Sequence, residues 1–282
     1  MTQSQHTKAP ESNDIASSCD AGRDAGAIRA VLDVMARLRD KEHGCPWDLA
    51  QSFASIAPYT IEEAYEVADA IALNDMPALK EELGDLLFQV AFHARMAGEA
   101  GAFDFADIAH ALAAKMIARH PHVFADRDER TAEEQTHAWE ARKAEERAKK
   151  HASLLDDVPM ALPALMRAEK LTKRASRIGF DWPTPEAVLE KLDEELAELT
   201  EARVGGDPEA LTEEMGDVLF VLANLARKLG VDPEEALRRA NRKFTSRFQY
   251  IERRLAEQGR AGPQPLDELE ALWLEAKRRE RE

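Results

Sequence analysis

Glu63, Glu66, Glu82 and Asp85 form a set of carboxylates that a shift of 132 positions carries onto Glu195, Glu198, Glu214 and Asp217. Carboxylates three residues apart share one face of a helix, and two such helices side by side crowd four negative charges together. A cation relieves that crowding. Hard divalent ions take oxygen ligands, and Mg2+ is commonly held by a few carboxylates together with waters and substrate phosphates. Paired ions in such a site polarise a phosphoryl oxygen and turn water into a better nucleophile, the equipment for hydrolysing a phosphoanhydride.

A plainer reading competes. With 33% charged residues, a single Glu-x-x-Glu is ordinarily a solvated helix face. Thr60 and Glu63 also have capping-box spacing, which would explain Glu63 without a metal. The second set removes that explanation: Thr184 with Pro185 marks a helix start, and Glu195 then lies about three turns inside, where it cannot cap. Gly84 and Gly216 precede the two aspartates within helical patterns, where glycine costs about 1 kcal/mol relative to alanine. They mark either tight helix packing or room for metal or substrate.

Lys243 and Arg247 share a helix face and suit phosphate oxygens, and a shift of 128 relates them to Lys115 and Arg119. Trp139 and Lys143 recur as Trp273 and Lys277, and Gly44 and Trp47 as Gly179 and Trp182. Trp182 and Trp273 are either core or platforms for a base. His93 has Leu225 at its equivalent position and so stands outside the shared chemistry, while His120 and His122 flank Pro121 in a structural or solvent role. A carboxylate-bridged di-iron centre would need two Glu-x-x-His motifs, and only Glu134 with His137 fits. No Gly-rich phosphate loop, serine or cysteine nucleophile signature, or zinc spacing occurs.

The elements that position these residues are helices, because helix formers dominate and little remains from which to build sheets. An all-α chain of two tandem domains follows, each a small helix bundle: residues 1–24 as a disordered tail, 25–152 as the first copy and 153–282 as the second. Pro159 and Pro163 interrupt any helix near that boundary. Helices are expected from about Ala27 to Arg39, from near Thr60, from Pro77 to Gly98 and from Asp104 to Arg119, with a loop at Gly44–Asp48. In the third, Leu83, Leu86, Leu87 and Val90 form the core stripe, with Glu82 and Asp85 at its edge. Thr184, Asp207 and Asp232, each followed by proline, mark three helix starts in the second copy.

The net charge of −16 opposes binding to a nucleic acid polymer. Two cysteines, no apolar run of membrane length and no signal-like N-terminus lead to the expectation of a cytoplasmic protein with no membrane association. A non-catalytic helical interaction scaffold is the alternative, but it does not account for matched basic and aromatic positions.

Over residues 26–282 the chain resembles the MazG family of the all-α NTP pyrophosphohydrolase superfamily. The likeness is carried by GCPWD, TIEEAYEV, EELGDLLFQVAFHARMA, RHPHVFAD, PALMRAEKL, GFDW and EEMGDVLFVLANLARKLG. It implies Mg2+-dependent hydrolysis of nucleoside triphosphates between the α- and β-phosphates, to monophosphate and diphosphate, by a homodimer that clears aberrant nucleotides or adjusts nucleotide pools. It assigns metal binding to Glu195, Glu198, Glu214 and Asp217, with Glu194 and Glu213 as acidic neighbours in the catalytic set that assist metal, activate water or contact substrate. Lys191, Lys243, Arg247, Trp273 and Lys277 would bind the nucleotide, and the C-terminal copy would be the catalytic one. Glu63, Glu66, Glu82, Asp85, Lys115 and Arg119 are then a candidate second site.

Overall fold

Two helical hairpins, one in each half of the chain, carry the acidic residues. The computed structural model describes residues 21–124, 131, 134–135, 138–139, 141–143 and 153–280, and among these no strand occurs. They fall into two units dividing between residues 131 and 132, earlier than the 152/153 boundary that the prolines suggest; most of the segment between lies outside the described residues. So does His137.

The first unit contains α1 (Ala21–Leu38), α2 (Pro46–Ala50), α3 (Phe53–Leu73), α4 (Met76–Glu99), α5 (Phe105–Arg119) and α6 (Pro121–Phe124). Three expectations are corrected here. Residues 21–24, assigned to the tail, form the start of α1, while residues 1–20 lie outside the described residues. The Gly44–Asp48 loop gives way to α2, with Pro46 in its first turn, where a missing N–H costs nothing. And α3 starts at Phe53 instead of near Thr60. Ser52 and Ser55 close a reciprocal capping box, which secures the first turn and lets the helix run through Pro58. Thr60 is therefore inside a helix, and capping does not explain Glu63.

The second unit contains α7 (Ala164–Ala175), a 3-10 turn (Ser176–Ile178), α8 (Pro185–Gly205), α9 (Pro208–Lys228), α10 (Pro233–Glu257) and α11 (Leu266–Arg279). Thr184, Asp207 and Asp232 cap α8, α9 and α10 as expected, each accepting a backbone N–H, and Asp104 caps α5 in the same way.

In both units the acid-bearing helices pack against each other, α3 on α4 and α8 on α9. Their turns are built alike. Asn74 (φ 56°) ends α3 and Gly206 (φ 75°) ends α8, both left-handed, and each is followed by an aspartate that caps the next helix. Asparagine and glycine are the residues that tolerate this conformation best.

Around the hairpins, α1 and α5 pack on α4 in the first unit, and α7 packs on α9 and α10 in the second, where α11 packs on α10. Met35, Ile56, Phe92 and Met96 form the first core, with Phe88 against it; each such side chain contributes about 1.5–3 kcal/mol on burial. The stripe expected on α4 is not the core. Leu83 and Leu87 remain exposed, while Ala91, Phe92, Ala94, Met96 and Ala97 are buried, because the described residues of the first unit do not cover Leu83 and Leu87.

Each unit ties the end of its second hairpin helix with partly buried ion pairs. Arg39 reaches Glu99 at 2.8 Å and also binds the carbonyl of Asp48, while Arg95 holds the same Glu99 at 2.8 Å. At the equivalent end of α9, Arg227 and Lys228 hold Asp181 at 2.6 and 2.8 Å. Gly44 and Gly179 occupy matched corners for different reasons. A Cβ on Gly44 would run into the backbone of Leu38 and Asp40, whereas Gly179 adopts φ 85°.

Candidate metal centre

Hairpin geometry explains why the acids meet. Glu63 and Asp85 lie eleven positions before and after Asn74, and Glu66 and Glu82 lie eight before and after it. Glu195 with Asp217 and Glu198 with Glu214 stand at the same offsets from Gly206. Positions equidistant from a tight antiparallel turn come level with one another, so each acid faces its partner across the hairpin.

The tightest grouping in the second unit is Glu195, Glu214 and Asp217, with one carboxylate oxygen from each within 4.8 Å of the others. Glu198 stands outside that trio. Its charge nevertheless bears on Glu214: burial is the leading cause that pushes the Glu214 carboxyl above its usual range, followed by Glu198, Glu195, Asp217 and Glu213. A carboxylate resisting ionisation among carboxylates is a site that favours a cation. In the first unit the trio is Glu63, Glu66 and Glu82. Burial raises Glu63, with Asp85 and Glu66 adding to it against a hydrogen bond from Gln89; burial, Glu66 and Asp85 raise Glu82. Asp85 thus contributes charge from outside the trio.

The two sites differ in what compensates their first glutamate. Glu195 is 6% exposed, and Lys191 Nζ bridges Glu195 at 2.9 Å and Glu194 at 2.8 Å. Those two carboxylates hold the lysine pKa well above its ordinary value. The matching position in α3 is Tyr59. Glu63 instead accepts a hydrogen bond from Gln89 Nε2 at 3.3 Å, and the position matching Gln89 is Val221. Spacing alone did not single out Gln89, because a glutamine one turn beyond an aspartate carries no signal until the hairpin is known.

Gly84 and Gly216 have open space where a Cβ would stand. Tight packing among the described residues is therefore not their reason.

The basic and aromatic residues form a second cluster. Arg247 Nη2 pairs with Glu280 at 2.6 Å, and its guanidinium lies 5.3 Å from the Trp273 ring centroid. Phe244 packs against Trp273 at 5.3 Å. Lys243 lies on the same face, close enough for its charge to help hold Glu280 below its usual range after the larger effect of Arg247. Lys277 is exposed one turn beyond Trp273. No described hydrogen bond, ion pair or ring contact joins Lys243, Arg247, Trp273 or Lys277 to the acidic trio. The structure gathers acids with Lys191, and bases with Trp273, but does not bring the two groups into contact. Glu280 carries no signal in the sequence because its link to Arg247 spans 33 positions.

Among the remaining candidates, Lys115 is exposed and Arg119 half-buried on α5. Lys143 Nζ sits 5.1 Å from the Trp139 ring centroid, much as Arg247 sits on Trp273. Trp182 lines a small recess with Phe180 and Pro183. His93 stacks on Phe53 with its Nε2 3.2 Å from Thr60 Oγ1, and His120 Nδ1 lies 2.7 Å from the Met116 carbonyl at a helix end. Both are structural positions.

Comparison with known proteins gives the same division. The MazG nucleotide pyrophosphohydrolase domain matches twice, at residues 51–124 and 183–251, and each match contains one quartet. The chain is 51% identical over 259 residues to a nucleoside triphosphate pyrophosphohydrolase of Escherichia coli, an alignment covering 90% of this chain and 98% of that protein. It is 44% identical over 257 residues to the nucleoside triphosphate pyrophosphohydrolase/pyrophosphatase MazG of Thermotoga maritima, covering 90% and 98%. A nucleoside triphosphate pyrophosphohydrolase of Mycobacterium tuberculosis matches at 40% over 152 residues, covering 53% and 46%.

Proposed function

The chain belongs to the MazG nucleotide pyrophosphohydrolase family, and from that premise we propose that its second unit hydrolyses nucleoside triphosphates, with Mg2+, between the α- and β-phosphates. The products are the nucleoside monophosphate and diphosphate. The observation that carries this reading is the convergence of Glu195, Glu214 and Asp217 on one point, with Glu214 resisting ionisation. These oxygens suit a hard divalent ion, and Glu198 adds a fourth carboxylate nearby.

Mg2+, when bound, offsets the charge of the triphosphate and makes water a stronger nucleophile. The chain's own residues do the rest. Glu194 and Glu213 border the trio and add to its negative field; Lys191 gives up part of its hold on Glu195 and is free to meet a phosphate oxygen. Lys243 and Arg247 neutralise phosphate charge, and Trp273 offers a face to the base, with Lys277 beside it. For Arg247 to take phosphate its pair with Glu280 must open, since both anions use the same planar fork.

The assembly is a homodimer. Support comes from apolar side chains left uncovered on the hairpins, Leu83 and Leu87 on α4 and Leu196, Met215, Leu219 and Leu222 on α8 and α9, which in an isolated chain would form patches of the kind that mark interfaces. A second chain also offers a way to join the acidic and basic clusters. No described helix is long and apolar enough to cross a membrane. The working role is control of nucleotide pools in the cytoplasm.

Removing divalent ions with EDTA should abolish triphosphate hydrolysis, and Mg2+ should restore it. Full activity in EDTA would sink the metal reading.

A further inference from the structure

The last turn of α11 is basic, with Lys277, Arg278 and Arg279, but the residue that ends it is an acid, Glu280. The C-terminus of a helix is the negative end of its dipole, so cations suit it and an anion there is disfavoured by its own helix. What holds the Glu280 carboxylate lies on α10. Arg247 grips it with the planar fork, Nε at 3.1 Å from Oε1 and 3.0 Å from Oε2, and Nη2 at 2.6 Å from Oε2. Lys243 is close enough to add its charge. This two-oxygen grip is the one a guanidinium gives a phosphate. The same guanidinium lies over the Trp273 ring, 5.3 Å from its centroid, so the group suited to phosphate and the face suited to a base are engaged together.

The two partners of the pair are unequally placed. Side-chain exposure is 12% for Arg247 and 36% for Glu280. Arg247 stands within α10 and against Trp273, whereas Glu280 caps the end of α11 and has water to move into. A pair with one solvent-exposed partner is worth little, and a ligand carrying more negative charge than a single carboxylate displaces it. A nucleoside triphosphate carries that charge. The carboxylate then yields and the guanidinium stays.

We propose that Glu280 is a stand-in for substrate phosphate: its carboxylate fills the Arg247 fork until an incoming triphosphate expels it. This rests on the assignment of Arg247 to the nucleotide phosphates and gives that site a built-in competitor. Glu280 acts through Arg247, as a positioning residue that keeps the guanidinium aimed and lowers the affinity of every ligand that needs the fork.

Calorimetric titration of the full-length chain with Mg2+ and a nonhydrolysable nucleoside triphosphate tests the proposal. Glu280→Gln keeps the size of the side chain and removes its charge, and circular dichroism verifies that the helices persist. The dissociation constant should fall about threefold or more, and in turnover assays KM should fall while kcat is unchanged. In an Arg247→Ala background the same change should bring no gain. A tie that only steadies α11 predicts the opposite sign, so equal or weaker binding in Glu280→Gln would overturn the proposal and leave triphosphate hydrolysis standing. A gain that persists without Arg247 would overturn it too, as a general effect of lost negative charge. Absence of binding in the parent protein would sink the nucleotide reading and the proposal together.

Discussion

The two hairpins hold the same four acids at the same offsets from a left-handed turn, yet they compensate those acids differently. In the second hairpin a lysine already on the helix bridges Glu194 and Glu195. In the first, the lysine is replaced by Tyr59, and an amide with an unpaired oxygen lies against Glu63. The backbone plan is thus one property and the chemistry another. Spacing about a tight turn decides whether acids converge, and the neighbours decide what the converged acids can exchange.

If that distinction holds, disabling one trio should not equal disabling the other. Glu214→Gln should cost about a hundredfold or more in triphosphate turnover, the several kcal/mol expected from disrupting a catalytic ion. Glu82→Gln should cost less than about tenfold, read in the same assay. Equal losses would mean that both trios turn over substrate or that one site depends on the other.

The basic clusters offer a second contrast. Losing a charge-assisted bond to phosphate costs about 1.5–3 kcal/mol, so Arg247→Ala should raise KM about tenfold to a hundredfold, while Arg119→Ala should change it by less than threefold by the same energy scale. A larger effect at Arg119 would move substrate binding to the first unit.

Acid stability probes the helix-end tie of each unit. Hydrogen bonds from Arg39, then Arg95, hold Glu99 below the usual carboxylate range despite partial burial. A carboxylate lowered in the folded state contributes stability that is present above its unfolded pKa and lost as pH falls through the folded one. Glu99→Gln should therefore lower stability by about 1–3 kcal/mol near neutral pH, and its gap from the parent protein should close on acidification below the ordinary glutamate range. Burial alone would raise Asp181, but Lys228 and Arg227 outweigh it and hold it low. Asp181→Asn should show the same closing gap in the second unit. A gap that widens with acid would reverse the assignment.

The smallest effect concerns the two glycines. With open space around the missing Cβ, Gly84→Ala and Gly216→Ala should each stabilise a helix by about 0.5–1 kcal/mol, seen as a rise in Tm. A fall at either position would show that a second chain or a ligand packs there.

Much of this plan is legible in the chain. Aspartate or threonine before proline marks helix starts because the side chain caps and the ring needs no N–H, and α8, α9 and α10 begin at those marks. Repeated acid spacing reveals shared faces because helical geometry is local. The start of α3 lacks the cap-then-proline mark, since a reciprocal box of Ser52 and Ser55 begins it and the helix runs through Pro58. Leu83 and Leu87 stay exposed although their helical spacing reads as core, because periodicity marks a face without saying what packs on it. The roles of Gln89 and Glu280 depend on contacts across the hairpin and across 33 positions of chain, which no local pattern encodes.

The central claim, that the second trio cleaves a triphosphate at its α–β bond, meets its most direct test in a single phosphorus NMR spectrum. ATP and Mg2+ incubated with the Glu82→Gln protein, whose first trio is disabled, should give AMP and pyrophosphate. A silent reaction, or ADP with phosphate, would contradict it.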